Sequence, residues 1–525
     1  MNTHLKEYRW LLIVSLLILA FSSVPIIAGY AAQTSGQRFV GAVFDRLDYS
    51  VHLAMMHYGE QGGWDYQFRF TTEPQTTTYL KIIYVVLGHI AKWTGIPSYI
   101  LFEVVRLIFG LLACLSIYYL LTRIFTKTEE KRLAFILAIL GAGLGWIQMP
   151  LGLVPDHSIS PIDFWLIDAY VFLNIATLPH LSIVIAAMAF SIAVFLNQLQ
   201  RPHWLNIAAI AVCAILVQFI NPIAFVIVDV VFAGIVAFSC WQKRRLDWGL
   251  VLTLSFLAVI QIPLMAYSFI LLTRDPAWAE FNRQNITLSP PPIYLLLGFG
   301  LFWPFVLFGA IKALRRQNTS LGWAIVWIVF AIVMAYLPIA IQRRFLLAIS
   351  IPLAILATPA ILEFSRWLQR RLRLSELTGA IVIVAFIIMS PILLIGITGM
   401  DMANRPATAF EPAALFDAVD WLGQHGTPKD VVLASEPTAQ MVAIRTPLRL
   451  YFGHEMETLH YSDKARDVEN FYRGLQPESW LENLPVTWVV FGPYEREWSL
   501  LPPRSSRLKL AYQNDLVIIY RVVSP

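Results

Sequence analysis

Apolar residues in this chain come in blocks about twenty long, and that one feature constrains the fold more than any other. Roughly 20 apolar residues is the length a helix needs to cross the hydrocarbon core of a bilayer, where backbone amides must be satisfied without water. Blocks of this kind cover 10–30, 99–122, 133–151, 180–198, 204–220, 222–241, 249–272, 292–311, 321–341, 345–364 and 377–399. Composition agrees with them: 58% of the 525 residues are hydrophobic and 14% are charged, against about 25% charged in a soluble domain. Mean hydropathy is +0.63. The expectation is an α-helical polytopic membrane protein with about eleven spans. Soluble and disordered classes are excluded.

Basic residues orient the spans. Lys6 and Arg9, the cluster Arg123, Lys127, Lys131 and Arg132, then Arg201, Lys243–Arg245, Lys312–Arg316 and Arg366–Arg373 all fall on one side if each block crosses once. The positive-inside rule makes that side the cytoplasm. The expected location is thus the cytoplasmic (inner) membrane, with a cytoplasmic N-terminus and an extracytoplasmic C-terminal end. The net charge of +5 follows from the same loops, and no basic–aromatic motif points to nucleic acid. The first block, 10–27 after its basic flank, is long for a signal peptide and reads as an uncleaved span. Cys114, Cys213 and Cys240 all lie inside apolar blocks, so no disulfide framework is expected.

Three stretches then lie outside: 32–97, 152–179 and the tail from 401. Residues 77–93 are apolar enough to suggest a twelfth span, but they contain Lys81, His89 and Lys92, and inserting them would invert every later loop. They read as a helix lying in the membrane interface. The domain division expected is 1–400 for the membrane domain and 401–525 for a small α/β domain. In the tail, 413–425 and 464–472 read as helices and 431–434, 448–452, 488–491 and 516–522 as strands.

The first external loop holds the leading chemical candidates. It opens with Phe44-Asp45-Arg46-Leu47-Asp48-Tyr49-Ser50-Val51-His52, continues through Ala54-Met55-Met56 and Gly62-Gly63-Trp64, and reaches Arg69-Phe70-Thr71-Thr72-Glu73-Pro74 before the interfacial helix. This pattern resembles the GT-C superfamily of polytopic membrane glycosyltransferases, such as the protein O-mannosyltransferases and the aminoarabinose transferases. In that family an acid precedes a short Ala- and Met-containing helix and a Gly-acid-Trp element about sixteen positions on; Asp48 and Trp64 keep that interval. Glu73-Pro74 stands where those relatives carry Glu-Lys-Pro-Pro. Where they have Arg-Tyr-Ala after the acid, this chain has Ser50-Val51-His52. Their adjacent acid pair is split here into Asp45 and Asp48, so both are candidate bases.

The resemblance implies an inverting glycosyltransferase, hexosyl- or pentosyl-, that takes a sugar from a polyprenyl-phosphate carrier at the outer face. A lipid, glycan or protein would accept the sugar, and membrane lipids would surround the site. A carboxylate removes the acceptor's proton, and cations stabilise the departing phosphate. Planar guanidinium groups suit that phosphate. Arg343 and Arg344, in a tight external turn without acidic neighbours in sequence, are the leading choice, to meet the aspartate in one pocket. His180, Glu73 and Arg106 are further substrate-binding candidates; Arg106 can equally be neutralised by Glu103, three residues earlier.

Other polar residues fit bland readings at least as well. Asp229 lies inside a span and is expected to bond to a facing helix. The run Gly141-Ala142-Gly143-Leu144-Gly145 reads as close helix packing, and Asp156, His157, Asp163 and Asp168 line the acceptor side or assist a metal. No cofactor is expected, and no motif supports a divalent metal. His454 and His460 are six apart, not the four that a helical zinc site requires; a loop reaching substrate is the better reading of 453–460. Two other classes remain: a secondary transporter, which would show repeats and broken helices, and a non-catalytic scaffold for envelope assembly.

Overall fold

The computed structural model describes residues 2–153, 161–316, 319–372 and 376–523. Among them, six helices are long and apolar enough to cross a membrane: Ser98–Ile124, Pro179–Gln200, Pro222–Lys243, Trp248–Arg274, Gln342–Arg371 and Gly379–Asn404. Two broken pairs, Leu5–Ser22 with Val24–Ala31 and Pro292–Phe299 with Phe302–Arg315, bring the number to eight. The apolar helices Trp204–Gln218 and Leu321–Ala335 are shorter. Thr128–Leu140 completes the set. Each expected span therefore meets a helix, and the chain is a multi-pass membrane protein, but three of the blocks are not the straight rods that their hydropathy suggested.

Glycine accounts for two of the breaks; the first falls at Ser23, two residues before Pro25. The block 133–151 stops being helical at Gly141. Its unwound amides find partners elsewhere: Ala142 N donates to Ile387 O at 2.9 Å, Leu144 N to Leu297 O at 3.0 Å, and Gly143 N and Gly145 N to the buried Asp163 carboxylate at 3.0 and 3.1 Å. An amide left bare in hydrocarbon would cost several kcal/mol, so the helix unwinds only where such partners exist. A Cβ on Gly143 would lie 2.2 Å from the Gly298 carbonyl carbon. The glycine run thus serves both close packing and an interruption. Two residues past Gly298, Gly300 takes φ 39°, and the flanking helices turn by 88°.

Compact packing divides the chain into two units. The first comprises 1–24, 104–266 and 287–397 and holds most of the spanning helices. The second comprises 25–103, 267–286 and 398–525. The sequence boundary near 401 thus falls close to the start of a stretch of the second unit, but that unit also takes in the loop after the first block and 267–286, which begins in the last turns of Trp248–Arg274. Its strands are β1 (Gln37–Phe39), β2 (Phe410–Pro412), β3 (Val431–Leu433), β4 (Arg449–Leu450), β5 (Trp488–Phe491), β6 (Leu508–Gln513) and β7 (Ile518–Val522). β1 pairs antiparallel with β2, so loop and tail share a sheet. The other five run in the order β4-β3-β5-β7-β6, parallel between β4, β3 and β5 and antiparallel beyond. Val431, Leu433, Val489, Phe491, Val468 and Tyr472 form the core beneath it.

Two helices of the first loop lie against each other through glycine. Gly59, in Arg46–Glu60, and Gly88, in Ile83–Thr94, sit at their crossing: a Cβ on Gly59 would come 2.1 Å from Val85 O, and one on Gly88 2.0 Å from Met56 O. Ile83–Thr94 has 12 residues, about 18 Å of helix, too short for a crossing of about 30 Å. The reading of 77–93 as something other than a span agrees with this.

Candidate functional site

Asp45 and Asp48 face different tasks. Asp45 is the N-cap of Arg46–Glu60, and its carboxylate accepts from the Asp48 amide at 3.0 Å. Such caps satisfy amides that the first helical turn leaves open. Asp48 sits one turn in, near the positive end of the helix dipole, with its side chain 46% exposed. The same helix is anchored to the tail at both ends: Arg46 pairs with the buried Glu411 at 2.5 Å, and His57 Nε2 lies 2.9 Å from Ile444 O.

The tail brings a second group to Asp48. His454 is buried, and its Nε2 lies 3.7 Å from Asp48 Oδ1. Nδ1 accepts from the amides of Met456 and Glu457 at 3.1 and 3.2 Å. Burial works against a charge on this imidazole, but Asp48 and Glu457 outweigh it and raise its pKa. The two amides require Nδ1 to act as acceptor, so the ring's proton belongs on Nε2, the side that faces Asp48.

Around this pair lie Glu457, Tyr66 and Lys81. The buried Tyr66 hydroxyl donates to Glu457, and burial together with that carboxylate pushes the phenol's pKa well up. Lys81 Nζ is 3.9 Å from Glu457 and 4.2 Å from the Phe281 ring centroid. Its side chain is 39% exposed, and its backbone holds φ 58°, a conformation non-glycine residues adopt only where surroundings enforce it. The loop carrying His454 and Glu457 is held from Pro276–Gln284: Gln284 Nε2 donates to Glu455 O at 3.1 Å and Thr458 O at 2.9 Å.

Glu73 belongs to the same unit but to another contact. It pairs with the buried Lys464 at 2.7 Å and accepts from the Thr71 hydroxyl. Burial opposes its ionisation, yet Lys464 and Thr71 hold its carboxyl below the ordinary value. A carboxylate with a depressed folded pKa contributes stability above its unfolded value of about 4.3 and loses it as pH falls through the folded one. Acidification below about pH 4.3 is therefore expected to destabilise the protein, and Glu73→Gln to flatten that part of the curve. Because Gln removes the counter-charge of Lys464 from a pair that solvent partly screens, the variant is also expected to lose about 1 kcal/mol at pH 7. Thermal melts of the full chain at pH 7 and pH 4 check both. Trp64 stacks on His89 with ring centroids 3.7 Å apart.

The remaining sequence candidates lie in the first unit. Arg343 and Arg344 occupy the 3-10 turn Gln342–Leu346. Contrary to the reading that this turn has no acidic neighbour, Arg343 Nε is 3.6 Å from Asp168 and its guanidinium lies over Trp165. The partner comes from a loop 175 positions earlier (343 − 168), beyond the reach of sequence inspection. Arg106 is buried and donates to Ser22 Oγ, Ser23 Oγ and Ile175 O at 3.1, 2.9 and 3.1 Å. That is a structural setting. His180 stands in the first turn of Pro179–Gln200. Asp229 accepts from Gln261 Nε2 at 3.1 and 3.0 Å, the facing-helix bond expected of it. Asp156 and His157 lie outside the described residues. Among the described residues no group of three or more His, Cys, Asp or Glu is placed to hold a metal.

Sequence reasoning found Asp45, Asp48 and Glu73 but missed the company of Asp48. His454 and Glu457 stood out only within a failed zinc motif read as a loop reaching substrate, Lys81 only as a charge against a twelfth span, and Tyr66 not at all.

No known family profile matches the chain and no curated protein matches it in sequence. Solved structures do match in fold. ArnT from Cupriavidus metallidurans in the apo state gives a TM-score of 0.54 at 12% identity, over 97% of this chain and 98% of that one. The same protein bound to undecaprenyl phosphate gives 0.52 with the same identity and coverage. The oligosaccharyltransferase of Archaeoglobus fulgidus gives 0.53 at 13% identity, over 92% of this chain and 69% of that one. The mycobacterial arabinofuranosyltransferase AftD gives 0.50 at 12%, over 98% and 40%. At such identities the likeness is one of architecture, and it extends along nearly the whole chain: this polytopic membrane protein shares the fold of these solved structures.

Proposed function

We propose that the chain is an inverting glycosyltransferase that moves a sugar from a polyprenyl-phosphate carrier to an acceptor hydroxyl. The observation that carries this reading is Asp48: a half-exposed carboxylate at a helix N-terminus, backed by a buried imidazole. The similarity in fold to a transferase solved with undecaprenyl phosphate supports the donor class.

In the reaction, Asp48 takes the proton from the acceptor O–H as that oxygen bonds to the anomeric carbon. The bond from that carbon to the phosphate oxygen breaks, and its electron pair leaves with the polyprenyl phosphate. The anomeric centre inverts. Charge grows on the leaving phosphate, and a cation already in place stabilises it more in the transition state than before. Within the second unit Lys81 suits that task, being partly exposed and braced over Phe281.

The test is direct. The protein in lipid nanodiscs is given polyprenyl-phosphate sugars with candidate lipid, glycan and peptide acceptors, and mass spectrometry follows polyprenyl phosphate and new glycoside in equal amounts. Release of neither, across hexose and pentose donors, would reject the reading. The orientation assigned to it, tail outside, predicts that alkaline phosphatase fused after residue 523 is active in cells and that a green fluorescent protein fusion there is dark. The opposite pattern overturns that orientation.

A second reading has one observation in its favour. Helices interrupted at Gly141–Gly145 and at Gly300 are a feature of transporters. Flux of substrate into proteoliposomes without any new glycoside would favour it.

A further inference from the structure

The loop 453–458 of the tail is built around an imidazole that has nowhere to go. Gly453 holds φ 149° and has Ala439 Cβ 2.6 Å from where its own Cβ would be. The amides of Gly453 and His454 both donate to Thr458 Oγ1 at 3.2 Å, and Leu459 N donates to Thr71 Oγ1 at 3.3 Å. The side chain of His454 is 3% exposed, with Nδ1 occupied by two amides. Its Nε2 is buried with no hydrogen-bond partner at normal range, and the carboxylate it faces is Asp48, at 3.7 Å. A buried donor in this state has been desolvated without compensation, and a shift of Asp48 by under an ångström supplies the missing bond. Hydrogen bonds at catalytic groups commonly tighten in this way when substrate arrives.

We infer that His454 is a positioning residue for Asp48, whose Nε2–H fixes one carboxylate oxygen so that the other meets the acceptor hydroxyl. The C-terminal domain is then part of the catalytic site. The inference rests on the glycosyltransferase reading. It also gives the imidazole a task that the base needs done: a phosphate-bearing donor nearby favours protonation of Asp48, and a donor hydrogen bond to its ionised form opposes that.

Two substitutions separate positioning from structure. His454→Gln keeps an N–H near the place of Nε2. His454→Asn keeps an acceptor for the Met456 and Glu457 amides but does not reach Asp48. His454→Asn is expected to lower kcat about 100-fold with the donor KM unchanged and the melting temperature close to wild type, while His454→Gln restores most of the rate. In the Asp48→Asn background, His454→Asn is expected to do nothing more, because the two act as one unit. Equal loss in the Gln and Asn variants, or a wild-type kcat in His454→Asn while Asp48→Asn is inactive, would overturn the inference and leave the transferase reading standing. An active Asp48→Asn would instead bring down the assignment of Asp48 as the base, on which it rests.

Discussion

Asp48→Asn is expected to lower kcat for sugar transfer by about 10²–10⁴-fold while the melting temperature stays where it was. The side chain is half-exposed and Asn has nearly the same shape as Asp, so the amide is tolerated by the fold. It cannot take a proton from the acceptor at neutral pH. The neighbouring acid supplies the control. Asn caps a helix as well as Asp does, so Asp45→Asn is expected to retain activity within a few-fold, and Asp45→Ala to cost about 1 kcal/mol of stability. Purified variants assayed for polyprenyl phosphate release decide the matter. If Asp48→Asn works at full rate and Asp45→Asn is dead, the roles assigned to the two carboxylates are reversed.

The largest expected effect on stability comes from Gly88→Ala. Alanine is normally the better helix former by about 1 kcal/mol, so an exposed glycine would gain. Here the added methyl group would meet Met56 O at 2.0 Å, and backbone cannot swing aside as a side chain can. Arg46–Glu60 and Ile83–Thr94 must then separate along their crossing, at a net loss of about 3 kcal/mol. At 2–4 °C per kcal/mol, the melting temperature falls by about 6–12 °C. Activity is expected to fall with it, because Asp48 rides on the displaced helix. Gly36→Ala is the comparison: nothing lies within 4 Å of its Cβ, and its effect is expected within about 0.5 kcal/mol. Equal melting temperatures for the two variants would show that the close approach does not matter.

What could be read in the sequence is what depends on neighbours along the chain. Hydropathy located all eleven apolar blocks because crossing a membrane demands a continuous run. The tail helix 413–425 appeared with the same limits in the structure, since its apolar face repeats within one segment. Interruption at Gly141 was not legible, because whether a glycine run packs or unwinds depends on Asp163 arriving from elsewhere. β6 was missed because it is mostly exposed and lacks an inward apolar face. The site divided along the same line. Asp48 announced itself through its spacing to Trp64, whereas His454 became meaningful only through a contact between residues 406 positions apart (454 − 48). Arg343 seemed unpaired for the same reason.

That unit built from distant stretches has a consequence for biosynthesis. Arg46 reaches Pro437 across 391 positions, and the ribosome adds about 5–20 residues per second. Roughly 20–80 s must therefore pass between synthesis of the first loop and synthesis of the strand and helices that complete it. Throughout that delay Phe39 waits for Phe410 and Phe70 for His454, open to proteases and to chaperones that shelter exposed apolar surface.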